Sequence, residues 1–266
     1  MHELQCELCR SSDFLKNADG LYQCQGCGCK YTLEQAKTFY KGAMHNKNSD
    51  FVVRAGKLER YCGESINVVI PSHVLVIGKN AFNECSALNT VIIPDGVTTI
   101  EVGAFGGCKN LKRITIPASV TSIEGYAFSG CESLTEVQIP AGITMINPGV
   151  FSECSSLRTV NLPDTLTEIS RNAFSRCRSL REITIPNSVR LIREDAFFNC
   201  VNLEKITRSS NTHVQIDAFA GTKWYVSQKE NERQAWKRQG LCSNCGGRFK
   251  GLFSQTCTQC GRKKSY

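Results

Sequence analysis

The sequence predicts a repeat solenoid built on a parallel β-sheet, with a small cysteine-stapled domain at each end. Three observations carry this reading. A 23-residue unit recurs six times between residues 70 and 207, one pair of Cys-x-x-Cys motifs lies in the first 30 residues, and a second pair lies in the last 25. A unit that short cannot bury its own apolar side, so the copies must stack and share one core.

Residues 1–31 form the first small domain. Cys6, Cys9, Cys24 and Cys27 make two Cys-x-x-Cys turns with 14 residues between them. Such a turn offers two thiolates to one ion at about 2.3 Å, and two turns complete a tetrahedron that suits zinc. Four thiolates leave no open position for water or substrate, so a zinc held this way is structural, and the domain reads as a zinc ribbon. Cys29, two residues beyond Cys27, is a competing ligand, and a redox dithiol or an iron–sulfur cluster is the rival use of the same cysteines. In residues 32–49, Thr32 to Gln35 fit a capping box that starts a helix through Tyr40, and a polar linker follows.

Residues 50–221 are the solenoid. A hairpin with Ala55-Gly56 at its turn opens it. Six copies then run without a gap from Ile70 to Thr207, each with Pro at position 2 (Pro71 to Pro186), Phe at position 13 (Phe82 to Phe197) and Cys at position 16 (Cys85 to Cys200). The piece typified by Leu111, Ile114 and Ile116 ends in a strand's alternation, and the next Pro stops it because it cannot donate to a ladder. These strands are expected to form one parallel sheet, with the second half of each copy returning the chain as a short turn or helical stretch. The Phe column reads as core. The Cys column reads as a packing slot, because parallel side chains in successive coils point the same way rather than at one another. After Thr207 the pattern decays: Arg208 and Ser209 replace Ile-Pro, Phe219 arrives one residue early and Thr222 stands in the Cys slot, as in a capping repeat.

These six units resemble the leucine-rich repeats of the BspA-like type, whose pattern LxxVxIPxxVTxIxxxAFxxC they match over roughly residues 51–221. The resemblance implies a leucine-rich repeat solenoid, curved, with its sheet on the concave side and the Phe residues stacked in a spine.

Outward strand positions are where a partner would touch. One column reads Thr90, Arg113, Glu136, Thr159, Glu182 and Lys205; the next reads Ile92, Thr115, Gln138, Asn161, Thr184 and Thr207. The candidate partner surface is Arg113, Thr115, Glu136, Gln138, Thr159, Asn161, Glu182, Thr184 and Lys205. Arg171, Arg176, Arg178, Arg181, Arg190 and Arg193 cluster in the last two copies, where Asp164, Glu168, Glu182, Glu194 and Asp195 are placed to balance them.

Residues 222–240 lack Pro and internal Gly and end at Gly240, which reads as a helix with a glycine stop. Trp224 and Trp236 are expected to pack on the solenoid end and the ribbon. Residues 241–266 carry Cys242, Cys245, Cys257 and Cys260 with 11 residues between the pairs, a second zinc ribbon and so a second structural ion. Gly28, Gly246 and Gly261 follow the second Cys of three pairs, where a positive φ turns backbone N–H groups toward sulfur.

The net charge of +8 divides unevenly. Lys and Arg against Asp and Glu count six to five over 1–48, sixteen to seventeen over 49–221, and ten to two over 222–266. Attraction to a polyanion therefore belongs to the tail, where Arg248, Lys250, Arg262, Lys263 and Lys264, with Phe249 and Phe253 among them, would supply phosphate contacts and stacking. Catalysis is not expected: His2, His45, His73 and His213 fall outside every column, and no phosphate-binding glycine loop or nucleophile elbow occurs. Acidic residues and cysteines in MHELQCELCR argue against a signal peptide, and no apolar run is long enough to span a membrane. The expectation is a monomeric cytoplasmic scaffold that binds an unidentified protein, with nucleic-acid binding through the tail as the alternative.

Overall fold

A computed structural model of the protein describes residues 14–16, 22–24, 30–31, 50–239, 241–250 and 256–263. Near the N-terminus three strands, β1 (Phe14–Lys16), β2 (Tyr22–Cys24) and β3 (Lys30–Tyr31), pair antiparallel in that order. Cys6, Cys9, Cys27, Cys29 and the helix expected after Thr32 lie outside the described residues, and Cys24 is described only as backbone.

The solenoid opens with a hairpin of β4 (Phe51–Arg54) and β5 (Lys57–Tyr61). Ala55 and Gly56, at φ of 47° and 77°, give the two left-handed residues that match the twist of adjoining strands. Each copy then contributes two strands rather than one. The first ladder comprises β6 (Asn67–Val69), β8 (Thr90–Ile92), β10 (Arg113–Thr115), β12 (Glu136–Gln138), β14 (Thr159–Asn161), β16 (Glu182–Thr184) and β18 (Lys205–Thr207). It is parallel and runs as three hydrogen-bonded patches. A second parallel ladder, absent from the sequence-based expectation, uses the two-residue strands β7 (Val76–Ile77), β9 (Thr99–Ile100), β11 (Ser122–Ile123), β13 (Met145–Ile146), β15 (Glu168–Ile169), β17 (Leu191–Ile192) and β19 (His213–Val214).

The return stretch is turn throughout, not helical, and the cause is local. In every copy position 11 (Asn80, Gly103, Tyr126, Gly149, Asn172, Asp195) sits at φ between 56° and 63°, and position 15 (Glu84 to Asn199) at 55° to 72°. Two left-handed residues four apart break any helix. They also aim alternate N–H groups at the next coil: Asn80 donates to the Val102 carbonyl at 3.0 Å, Phe82 to Ala104 at 2.7 Å and Glu84 to Gly106 at 2.7 Å. Coil spacing is thus fixed on three sides. Tyr126 is the costly occupant of position 11, and its ring lies over Gly149, where an added Cβ would come within 2.3 Å of it.

The six repeat phenylalanines are fully buried and stack parallel at centroid distances of 4.9 to 5.5 Å. Tyr61 and Phe51 continue the spine into the hairpin. At the other end Phe219 stacks on Phe197 at 5.1 Å and meets Trp224 edge-on at 62°. The decayed copy therefore caps the core. Its Thr222 fills the Cys slot at 0% exposure and also caps the helix α1 (Lys223–Arg238), accepting the Tyr225 N–H at 3.0 Å. No described helix is long and apolar enough to cross a membrane.

The Cys column is a packing slot, as expected, with one addition. Each thiol from Cys108 to Cys200 donates to the Phe carbonyl 26 residues back, at 3.0 to 3.3 Å. Burial pushes the Cys131 and Cys177 thiols far up and that of Cys154 to about 12, which suppresses the reactive thiolate. Iodoacetamide on the native protein is expected to label exposed Cys62 and to spare Cys108, Cys131, Cys154, Cys177 and Cys200 until denaturant is added. Peptide mapping that finds any of the five labelled as fast as Cys62 would contradict the buried column.

Candidate metal centre and binding face

The C-terminal cysteines are brought together by short turns and a two-stranded sheet of β20 (Phe249–Lys250) and β21 (Thr256–Cys257). Gly246 and Gly261 both take φ of 71°, and each returns its N–H to the carbonyl of the first Cys of its pair, at 2.7 and 3.0 Å. The left-handed residue expected after each pair is present in both. All four sulfurs lie within 4.8 Å of one another, with Cys242 and Cys260 at 3.6 Å and Cys245 and Cys257 at 3.5 Å. A tetrahedron of about 2.3 Å bonds has edges of about 3.8 Å. These separations fit that figure and are too long for a disulfide. Cys242 and Cys257 are buried, Cys245 is half-buried and Cys260 exposed.

Backbone donors prepare the sulfurs for charge. The Cys260 N–H, with that of Gln259, holds the Cys257 thiol down at about 6, and the Arg262 N–H lowers that of Cys260. For Cys245 the Gly247 N–H pulls the same way, but burial and its S–H bonds to the other three cysteines prevail and push it up to about 12. The four sulfurs form a soft donor set that can take a metal ion. It is the one group of this kind among the described residues.

Both tryptophans pack as expected. Trp224 closes the spine, and Trp236 lies against Gly246, where an added Cβ would come 2.9 Å from its ring. The Leu241 N–H donates to the Trp236 carbonyl at 2.8 Å, tying α1 to the segment that carries the cysteine cluster. Arg248, Lys250, Arg262 and Lys263 are exposed. Lys264 and Phe253 lie outside the described residues, and Phe249 is described only as backbone.

On the first ladder, Arg113, Thr115, Glu136, Gln138, Thr159, Asn161, Glu182 and Thr184 all stand exposed around buried Ile114, Val137, Val160 and Ile183. Lys205 and Thr207 extend the pattern. The start of the face departs from expectation: Ile92, placed outward by its register, is 8% exposed, and Val69 one coil before it is 5% exposed. These two apolar side chains are withdrawn from water, so the polar face begins at the next strand. Three of the six clustered arginines are balanced by cross-coil pairs, Arg171 with Glu194, Arg193 with Glu168 and Arg176 with Glu153, the last acid coming from the copy before those expected.

Sequence reasoning missed a groove of about 720 Å³ beside this face, lined by Arg158, Ser179, Arg181, Glu182, Asn202, Glu204 and Lys205. The available signal was the column just before the strand, which reads Asn89, Lys112, Thr135, Arg158, Arg181 and Glu204.

A family model described as a BspA type leucine rich repeat region, in six copies, matches residues 60–181 and 126–227. A leucine-rich repeat protein from Bacteroides ovatus is 31% identical, with a TM-score of 0.60 over 65% of this chain and 48% of its own. The leucine-rich repeat protein of T. pallidum is also 31% identical, with a TM-score of 0.59 over 64% of this chain and 83% of its own. A leucine rich cell surface protein from Faecalibacterium prausnitzii is 30% identical, with a TM-score of 0.51 over 65% of this chain and 56% of its own. The chain thus spans about half the length of the Bacteroides ovatus structure it matches. A comparison with the curated proteins finds no match.

Proposed function

We infer a function from one premise, that the chain belongs to the BspA-type leucine-rich repeat family: it is a non-catalytic, cytoplasmic, monomeric scaffold that binds another protein through the first ladder. The observation that carries this is the run of exposed polar side chains from Arg113 to Lys205, held at fixed spacing on a rigid sheet. Solenoids present such extended surfaces to macromolecules. The ribbons supply stability at the ends. Cys242, Cys245, Cys257 and Cys260 hold one structural zinc, and Cys6, Cys9, Cys24 and Cys27 a second.

The second reading, nucleic-acid binding by the tail, is favoured by one observation, the four exposed basic side chains Arg248, Lys250, Arg262 and Lys263 on a ribbon whose neighbours carry little acid. Two measurements separate the readings. A photo-crosslinking residue at Thr159 on the ladder is expected to give a discrete protein adduct in cells, and the same residue at exposed Tyr126 in the return turn none. Fluorescence anisotropy with single- and double-stranded nucleic acid across a salt series is expected to show no tight binding near physiological salt. A steep salt slope that disappears in a chain ending at Gly221, without a ladder-specific adduct, would transfer the function to the basic ribbon.

A further inference from the structure

Arginine is used in two ways on this solenoid. Arg171, Arg176 and Arg193 each reach a glutamate on an adjacent coil. Arg158 and Arg181 do not. They occupy the same position in successive copies, immediately before β14 and β16, so they stand one coil apart, across the break between two of the ladder's hydrogen-bonded patches. Among the described residues neither guanidinium has a hydrogen bond or an ion pair. The acids nearby are taken: Glu182 is held by Lys205 at 3.5 Å, and Glu204 by Lys223 at 2.6 Å. Arg181 senses Glu204 only electrostatically, without contact.

Like charges directly opposite one another on neighbouring strands cost stability. Here the cost is placed in the wall of the groove, beside Ser179 and Asn202. Asn202 donates its amide N–H to the Arg178 carbonyl at 2.8 Å, which ties the groove's lining to the preceding coil. Two exposed guanidiniums on adjacent coils can each donate N–H groups to a carboxylate, the charge-assisted pairing that arginine's planar fork favours. Glu204, one coil beyond Arg181 in the same column, and Glu182, next to Arg181 in the chain, place acid in the same groove, which argues for a partner that carries isolated carboxylates among neutral or basic groups and against a uniform polyanion, which they would repel.

We propose that this groove binds an acidic segment of a partner protein, with an Asp or Glu carboxylate gripped between Arg158 and Arg181. The assignment rests on the protein-binding reading above and gives it a location and a ligand chemistry. The groove's volume, about 720 Å³, is in the range that receives a few side chains of an extended segment.

The test is anisotropy with three fluorescein-labelled probes on the full chain and on an Arg158→Gln/Arg181→Gln variant. The probes are a peptide of alternating Glu and Gly, its Gln–Gly counterpart, and an oligouridylate of equal length. The expected result is salt-sensitive binding of the acidic peptide that falls about tenfold or more both on replacing Glu by Gln and in the variant. Both arginines are exposed and, among the described residues, make no salt bridge, so the variant is expected to melt close to the parent's temperature. Absence of acidic-peptide binding, equal binding of the Gln peptide, or a marked fall in the variant's melting temperature would each overturn the proposal. Oligouridylate binding that depends on the two arginines would overturn it in favour of nucleic acid. A Thr159 adduct that persists undiminished in the variant would remove this site and leave the protein-binding role standing, whereas loss of every ladder adduct in the parent would remove the role itself.

Discussion

Replacing Phe151 with alanine is expected to destabilise the protein by about 3–5 kcal/mol, the range for truncating a large aromatic in a core that cannot collapse. The ring is 0% exposed and lies between Phe128 and Phe174, both at 5.5 Å and within 11° of parallel. Neighbouring coils cannot close over the void, because their separation is set by two strand ladders and by the turn hydrogen bonds, including Phe151 N–H to the Ala173 carbonyl at 2.9 Å. Position along the stack governs the loss. Phe51, in the opening hairpin, is 8% exposed and among the described residues its ring meets only that of Tyr61, at 5.3 Å, so Phe51→Ala is expected to cost clearly less. A central defect should also weaken coupling between the two halves of the array, since each coil touches only its neighbours. Urea titration followed by circular dichroism reads both effects as a lower midpoint and a broader or split transition for Phe151→Ala. Equal losses at Phe51 and Phe151 would mean that the spine is not a continuous core.

How much of this was legible in the sequence depends on how the information is stored. Period, spine and packing slot were legible because they repeat: six phenylalanines and six cysteines at fixed positions leave little else for those columns to do. The cap was legible as decay, although the second role of Thr222, capping α1 while filling the Cys slot, required knowing that the helix begins there. The second ladder was not legible. Its strands are two residues long, too short for alternation to show against the turns on either side. Nor were the left-handed turn positions, because Tyr126, Glu84, Glu153 and Arg176 stand where Gly, Asn or Asp would advertise them. Ile92 shows another limit, since register assigns a side chain to a face but does not say whether that face is covered. At the candidate centre, Cys-x-x-Cys spacing identified the ligands, yet the backbone donors that lower the Cys257 and Cys260 thiols belong to the folded turns alone. The Arg158 and Arg181 groove fell between the two kinds of signal: its column changes residue from copy to copy, and only the packed coils show which cations are left without acids.

Substituting Cys257 by serine is expected to remove one zinc per chain and to unfold the C-terminal ribbon while the solenoid melts as before. The ribbon's described residues bury little beyond Cys242 and Cys257 themselves, so its order depends on the ion rather than on a core. The solenoid's core is complete without it, closed at that end by Phe219 and Trp224. Zinc released by denaturing the parent and counted with a colorimetric chelator should come to about two per chain, one for each four-cysteine set. The Cys257→Ser chain should give about one, and Cys62→Ser, at an exposed cysteine outside both sets, should match the parent. Acid should act in the same direction as mutation. Zinc requires deprotonated sulfur, and the group most ready to supply it at neutral pH is Cys257, held near 6 by the Cys260 N–H. Affinity should therefore fall as pH falls, because the Cys245 thiol already holds its proton at neutral pH, and fall more steeply below about 6, where Cys257 takes up a proton as well. A parent that releases less than one zinc per chain would remove the metal from this account. A Cys257→Ser chain whose solenoid transition collapses with its ribbon would show that the ends and the middle fold as one unit, contrary to a stack in which each coil is stabilised by its neighbours.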